Sequence, residues 1–212
     1  MIYLDRPILV SVPLGQDYKI DSRLKETLSF WEYTKEMVEI YHPVSSKPEV
    51  GRDMAIQHAK YRIPKPTHIL FLDADVLPKK NTLEKLKELD KDIVMGVYPM
   101  TQKGEIRWSV SRDELFIELD DLPRNPFKIV SGGFGVTLIK YEVFEALEWP
   151  YWKNVFVPGG IEMGEDIYFC DKARKAGYDI WCDPLVKCNH EKYIGLLNIV
   201  NKLQLLKKGV KQ

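Results

Sequence analysis

At 212 residues, with 31 basic and 31 acidic side chains cancelling, the chain has the length of one domain with a large core and no charge excess that asks for a nucleic-acid partner. Three cysteines, Cys170, Cys182 and Cys188, are too few and odd in number for a disulfide framework, which implies a reducing compartment. The N-terminus has no basic region leading into a long apolar run, and no stretch reaches the roughly 18 apolar residues of a membrane span, so a cytoplasmic protein without a transmembrane segment is expected.

Ile8 to Val12 is a short β-branched run closed by Pro13-Leu14-Gly15, which predicts a buried strand giving way to a loop. Asp21-Ser22 then cap a helix over about Arg23 to Lys35, with Leu24, Leu28 and Trp31 at helical spacing. Val38 to His42 reads as a strand stopped by Pro43, and Val50 to about Tyr61 as a helix opened by Gly51-Arg52-Asp53. His58 falls on the apolar side of that helix, where a satisfied core histidine is the simpler reading than a ligand. The run His68-Ile-Leu-Phe-Leu72 is apolar without interruption, as in a parallel strand covered on both faces.

That strand ends in Asp73-Ala74-Asp75. Alternation of side chains along an extended chain puts both acids on one side, at the carboxyl end of a strand where open α/β sheets bind ligands. Two carboxylates so close favour a divalent cation between them, although Asp-x-Asp is also a common turn or cap. A charged helix to about Leu89 and a strand from Asp92 to Val97 complete a β-α-β-α-β-α-β order, hence a doubly wound, mostly parallel sheet with helices on both faces. From Tyr98 to Asn125 short alternating pieces predict antiparallel strands added at one side of that sheet, with no linker to mark a second domain.

Phe127 to Val130 leads to Ser131-Gly132-Gly133-Phe134-Gly135 and a strand at Val136 to Ile139. Clustered glycines allow close backbone approach to a ligand, or mark a plain bulge. A helix follows at about Tyr141 to Leu147, and the aromatics at Trp149, Tyr151 and Trp152 suit either core packing or a sugar-site wall. Gly164-Glu165-Asp166 opens a helix that stops at Gly177; acids in a first turn are also explained by the helix dipole alone. A strand at Asp179 to Cys182 and the run Leu185 to His190 come last. Cys182, Cys188 and His190 lack the paired spacing of a zinc knuckle, so the cysteines read as core. Residues 193–212 carry Leu196, Leu197, Val200, Leu203 and Leu206 at helical spacing with lysines near the end. That amphipathic helix is expected to pack on the 1–192 domain or on a partner, including a second copy in a homo-oligomer, with peripheral membrane contact as a further option.

Taken together, Gly51-Arg52-Asp53, Asp73-Ala-Asp75, the glycine loop, Gly164-Glu165-Asp166 and the downstream His190 resemble the GT-A class of nucleotide-sugar glycosyltransferases, the family-2-like group above all, over Ile8 to His190. The resemblance implies a GT-A type, Rossmann-like α/β fold and transfer of a sugar from a UDP- or GDP-sugar to a hydroxyl acceptor. It implies a metal site of Asp73, Asp75 and His190 holding Mn²⁺ or Mg²⁺, with the imidazole favouring Mn²⁺. Pro13, Leu14, Arg52, Asp53, Asp73, Gly132 and Gly133 would contact the donor, Asp166 would be the base of an inverting displacement and Glu165 would orient hydroxyls. Two other readings compete. Asp73-Ala-Asp75 also fits the nucleophile of haloacid-dehalogenase-like phosphatases, which carry it on the first strand, whereas two βα units precede it here. A non-catalytic carbohydrate-binding module explains the aromatics but not the acids.

Overall fold

The computed structural model describes residues 8–15, 19–33, 38–102, 104–113 and 115–192; the expected C-terminal helix at 193–212 lies outside them. Strand β1 (Ile8–Ser11) is buried along its whole length, followed by α1 (Ser22–Tyr33), β2 (Val38–Tyr41), α2 (Pro48–Tyr61) and β3 (His68–Leu72). Then come β4 (Val76–Leu77), α3 (Thr82–Glu88) and β5 (Ile93–Val97). The second half contributes β6 (Pro99–Gln102), β7 (Glu105–Trp108), β8 (Val110–Ser111), β9 (Phe127–Ile129), β10 (Ser131–Gly132) and β11 (Val136–Lys140). It closes with α4 (Tyr141–Ala146), β12 (Val155–Val157), β13 (Gly160–Met163), α5 (Glu165–Lys175), β14 (Ile180–Lys187) and β15 (Asn189–His190).

Seven strands form one mixed sheet in the order β2-β1-β3-β11-β5-β14-β9. The parallel pairs β1–β2, β1–β3 and β14–β5 agree with the βα alternation of the sequence. The placement of the antiparallel chain differs from expectation. β11 runs antiparallel between β3 and β5, in the middle of the sheet, and β9 caps the far edge. Val136 to Ile139 are all buried, so β11 can be covered on both faces as an interior strand must be. The pieces between Tyr98 and Asn125 make a β6–β7 hairpin and a β8–β10 pair that do not join the central ladder. The strand predicted at Asp179 to Cys182 runs on to Lys187 as β14, whose register shifts between Cys182 and Lys187, and the run to His190 ends in the separate β15. Asp183 supports that irregularity by accepting the Leu185 N–H at 2.9 Å, and Pro184 supplies no donor there.

One face of the sheet packs Leu9, Ile69 and Phe71 against Ala55 and Ile56 of α2, Phe144 of α4 and Phe169 of α5. Trp152 belongs to this core, stacked on Phe169 with centroids 5.3 Å apart. The other face packs Ile8, Val10 and Leu70 against Leu24, Leu28 and Trp31 of α1 and Leu83 and Leu86 of α3. All three cysteines are buried thiols, and burial pushes Cys170 and Cys188 up to about 12. Among the described residues no helix is long and apolar enough to cross a membrane.

Candidate active site

The carboxyl end of β3 does not continue as an extended strand. Asp73 starts a tight turn, with the Val76 N–H donating to the Asp73 carbonyl at 3.0 Å, while the Asp73 N–H is held by Gly135 of the neighbouring strand at 3.1 Å. The alternation expected to aim Asp73 and Asp75 the same way is therefore broken, and the two carboxylates take different partners.

Asp73 turns toward Arg52, whose guanidinium is 3.6 Å away. Arg52 sits near the start of α2, almost fully buried, and forms the centre of an ionic cluster. Its Nη1 donates to Asp166 at 2.6 Å and lies 3.4 Å from Glu165, and the guanidinium covers the Phe134 ring. The second oxygen of Asp166 accepts the Phe134 backbone N–H at 3.2 Å. Neither acid caps α5, whose N-cap is Gly164 without a side-chain bond, although both stand in its first turn. Burial pushes Asp166 up, Arg52 opposes it and Glu165 and Asp73 add to it, with a result of about 6. Burial likewise raises Asp73 against the pull of Arg52.

Asp75 belongs to a second group. The short β15–β4 ladder sets His190 opposite Val76, and the Glu191 N–H donates to the Asp75 carbonyl at 2.8 Å. His190 Nδ1 lies 2.8 Å from the Pro99 carbonyl, which can only accept, so the ring donates from Nδ1 and presents Nε2 to Asp75 at 3.4 Å. Lys192 Nζ contacts the same carboxylate oxygen at 2.5 Å. Burial raises Asp75, but the hydrogen bonds from His190 and Lys192 outweigh it and hold it at about 2. The structure thus brings Asp75 and His190 together and leaves Asp73 on Arg52. Among the described residues no group of three His, Cys, Asp or Glu side chains converges to share a metal ion. A carboxylate beside an imidazole whose other nitrogen is tied to a carbonyl is nevertheless a donor set suited to a divalent ion such as Mn²⁺. Asp75 opens into a cleft of about 720 Å³ whose walls include Gly15, Lys19, Asp21, Glu191 and Lys192.

The glycine loop is shaped by the protein's own atoms. A Cβ on Gly133 would stand 2.2 Å from the Tyr98 hydroxyl, and one on Gly132 2.7 Å from Met95 Sδ. Tyr98 is buried, receives the Gly135 N–H at 3.2 Å and packs edge-on to His190 with centroids 5.0 Å apart, linking the two acid groups. Gly135→Ala would bring a methyl to 2.7 Å from the Tyr98 ring and 2.8 Å from Val76. It is expected to cost about 1–3 kcal/mol by overpacking. At roughly 2–4 °C per kcal/mol the melting temperature should fall by about 2–12 °C; an unchanged melting curve would show that Tyr98 yields freely.

Leu14 is buried and its backbone is tied to Pro43 and Ser45, so from the first loop it is the neighbouring Gly15 that reaches the Asp75 cleft. Asp53 points away from the Arg52 cluster, with Oδ2 accepting the Trp149 indole N–H at 3.3 Å. His58 is satisfied as expected, but at the surface, paired with Glu39 and stacked on Tyr41. Lys192, Tyr98 and Lys19 were not singled out in the sequence. Lys192 follows His190 at the two-residue spacing of one strand face, the signal that could have found it.

No family model matches the chain, and no curated protein sequence matches it. Solved structures do. The crystal structure of A197 from STIV superposes with a TM-score of 0.61 at 21% identity, covering 88% of this chain and 86% of that one. The crystal structure of GalNAc-T7 with UDP, GalNAc and Mn²⁺ superposes with a TM-score of 0.54 at 15% identity, covering 88% of this chain and 44% of that one. At these identities the likeness is one of fold, and the fold is glycosyltransferase-like, a mixed α/β sheet of the GT-A type.

Proposed function

We propose that the protein transfers a sugar from a nucleoside-diphosphate sugar to a hydroxyl acceptor, with inversion at the anomeric carbon. The observation that supports this reading is a pair of neighbouring acid groups, Asp166 and Asp73 on Arg52 and Asp75 on His190, on a fold shared with a protein crystallised with UDP and Mn²⁺.

Asp166 is the proposed base. It is raised to about 6, so it is mostly ionised at neutral pH yet basic enough to take a proton from an acceptor hydroxyl. Arg52 and the Phe134 N–H occupy one lone pair on each of its oxygens, fixing the carboxylate while leaving others to receive the proton. The acceptor oxygen bonds to the anomeric carbon as the bond to the diphosphate oxygen breaks from the opposite face. Glu165 is within reach of the same arginine and is assigned the orientation of hydroxyls. Asp75 and His190 would hold a divalent ion, Mn²⁺ in preference to Mg²⁺, with Asp73 near them and the remaining positions left to ligand oxygens and water. Bound there, the ion supplies Lewis-acid stabilisation of the charge that develops on the departing diphosphate. Lys192 and Lys19 add positive charge to the cleft that would receive the phosphates; Gly132 and Gly133, expected from the resemblance to contact the donor, face Met95 and Tyr98 instead.

Titration calorimetry with UDP and GDP tests the donor site. Micromolar binding in the presence of Mn²⁺ should disappear with a chelator and in Asp75→Ala, and the preferred nucleotide identifies the base. Failure of both nucleotides to bind with Mn²⁺ would overturn the reading.

A further inference from the structure

A second cleft, of about 630 Å³, opens on the flank of α2 away from Asp75, and none of its lining residues is shared with the cleft around that acid. Arg52 and Asp53 are adjacent on α2. Successive helical positions diverge by about 100°, so one side chain turns into the ionic cluster and the other out to this flank. The floor is rigid. The His58 and Tyr41 rings stack at 4.3 Å and 7°, and Glu39 holds both His58 and Arg62. The rim is aromatic and open, with Trp149 69% and Tyr61 79% exposed. Asp53 lines the cleft beside Trp149. Its Oδ2 takes the Trp149 indole N–H and so orients that ring, while its Oδ1 is buried with no hydrogen-bond partner among the described residues.

We propose that this cleft is a saccharide-binding site, taking a pyranose unit with one C–H face on Trp149 or Tyr61 and a hydroxyl donating to the Asp53 carboxylate. The site is separate from the donor machinery proposed above, and Asp53, expected from the sequence to contact the donor, faces this cleft instead. Three features select the ligand class. Exposed, oriented rings offer a flat apolar surface beside polar groups, which matches the alternation of C–H faces and hydroxyls on a sugar. The Asp53 carboxylate on the lining is a charged acceptor beside those rings, which a sugar hydroxyl matches as donor. The other lining groups, Gln57 and Arg62, add donors, which suit hydroxyls that both give and accept but oppose an organic cation. An aromatic cage for a quaternary ammonium would moreover be closed around its guest, and this rim is open.

The test is ¹⁵N-labelled full-length protein titrated with methyl glycosides of glucose, galactose, mannose and N-acetylglucosamine and with their β-linked disaccharides, following the Trp149 indole N–H signal, assigned by its loss in Trp149→Ala. At least one probe should shift that signal with a millimolar dissociation constant. Asp53→Asn, an isosteric change at a partly exposed side chain, should weaken binding by about tenfold or more by removing the charged acceptor. Asp75→Ala should leave saccharide affinity unchanged, which separates this site from the donor site. A glycoside that binds while UDP and GDP do not would uphold the cleft and overturn the transfer reading alone. No shift with any probe up to roughly 50 mM, well past a millimolar constant, would overturn the proposal. So would an equal response to choline, or glycoside binding unaffected by both Trp149→Ala and Asp53→Asn.

Discussion

Asp166→Asn is expected to lower turnover by about 10²–10⁴-fold, the usual contribution of a positioned general base, while leaving nucleotide affinity within a factor of two or so. The amide keeps an oxygen for the Phe134 N–H, so the glycine loop is not released; its NH₂ then faces Arg52 Nη1, donor to donor, and Arg52 is left to Asp73 and Glu165 as partners. The loss therefore falls on proton removal. In the unsubstituted protein the same assignment gives turnover an acid limb near pH 6. Burial raises Asp166 to about 6, so its basic form is lost as pH falls through that value. Initial rates with a donor sugar between pH 5 and 8, together with calorimetric nucleotide affinity for the variant, measure both. Full turnover in Asp166→Asn would remove the residue from the base role, and an acid limb far from 6 in the parent protein would do the same.

Arg52→Met is expected to be the most destabilising single change in the site. The guanidinium is 3% exposed and lies between Asp73, Glu165 and Asp166, so its removal leaves three carboxylates facing one another without a cation. Breaking a buried ion pair by deleting one partner costs about 3–5 kcal/mol, a melting temperature lower by about 6–20 °C for a chain of this size. The sign of the pH effect follows from the direction of the shifts. Asp166 and Asp73 both stand above their ordinary values, so the folded state binds their protons more tightly than the unfolded chain does. The resulting stability is complete below the ordinary carboxylate value near 3.8 and is lost as pH rises through the folded value, about 6 for Asp166. Arg52 pulls both groups down. Without it the folded values climb further, and the variant should recover part of its deficit between pH 8 and pH 5. Thermal unfolding of both proteins across that range tests this. A deficit independent of pH would mean that the acids do not repel one another in the folded state.

The alternation of short β-branched runs with amphipathic helices was enough to read β1, β2, β3 and β5 and the helices between them, because buried parallel strands and their covering helices leave different periodicities. Gly177, predicted as a helix stop, has φ +93, a backbone conformation that favours glycine. The position of β11 was not legible. Its sequence says that it is covered on both faces, which holds at any interior site and in either direction. The acids and His190 were legible as a set because they fall at strand and helix ends. Their division into an Arg52 group and an Asp75 group depends on the turn at Asp73, which displaces one carboxylate from the other. The burial of Arg52 among three acids depends in part on Glu165 and Asp166, more than a hundred residues away and beyond any local pattern. The same limit hid the turning of Asp53 toward Trp149, since a helix start does not reveal which neighbour stands on each side.

The interior position of β11 also bears on how the chain is made. β3 and β5 are complete once Val97 has been synthesised, yet the strand that bridges them starts at Val136. Until then the nascent sheet has two apolar strands with unsatisfied edges, the condition in which chains associate with one another. Closure requires a segment from the second half to enter a slot already bounded on both sides. The late-arriving strand brings with it the glycine loop that holds Asp73 and Tyr98, and Glu165 and Asp166 follow it on α5, so the acid cluster forms only when the second half of the chain is in place. A fragment ending near Val97 would lack both.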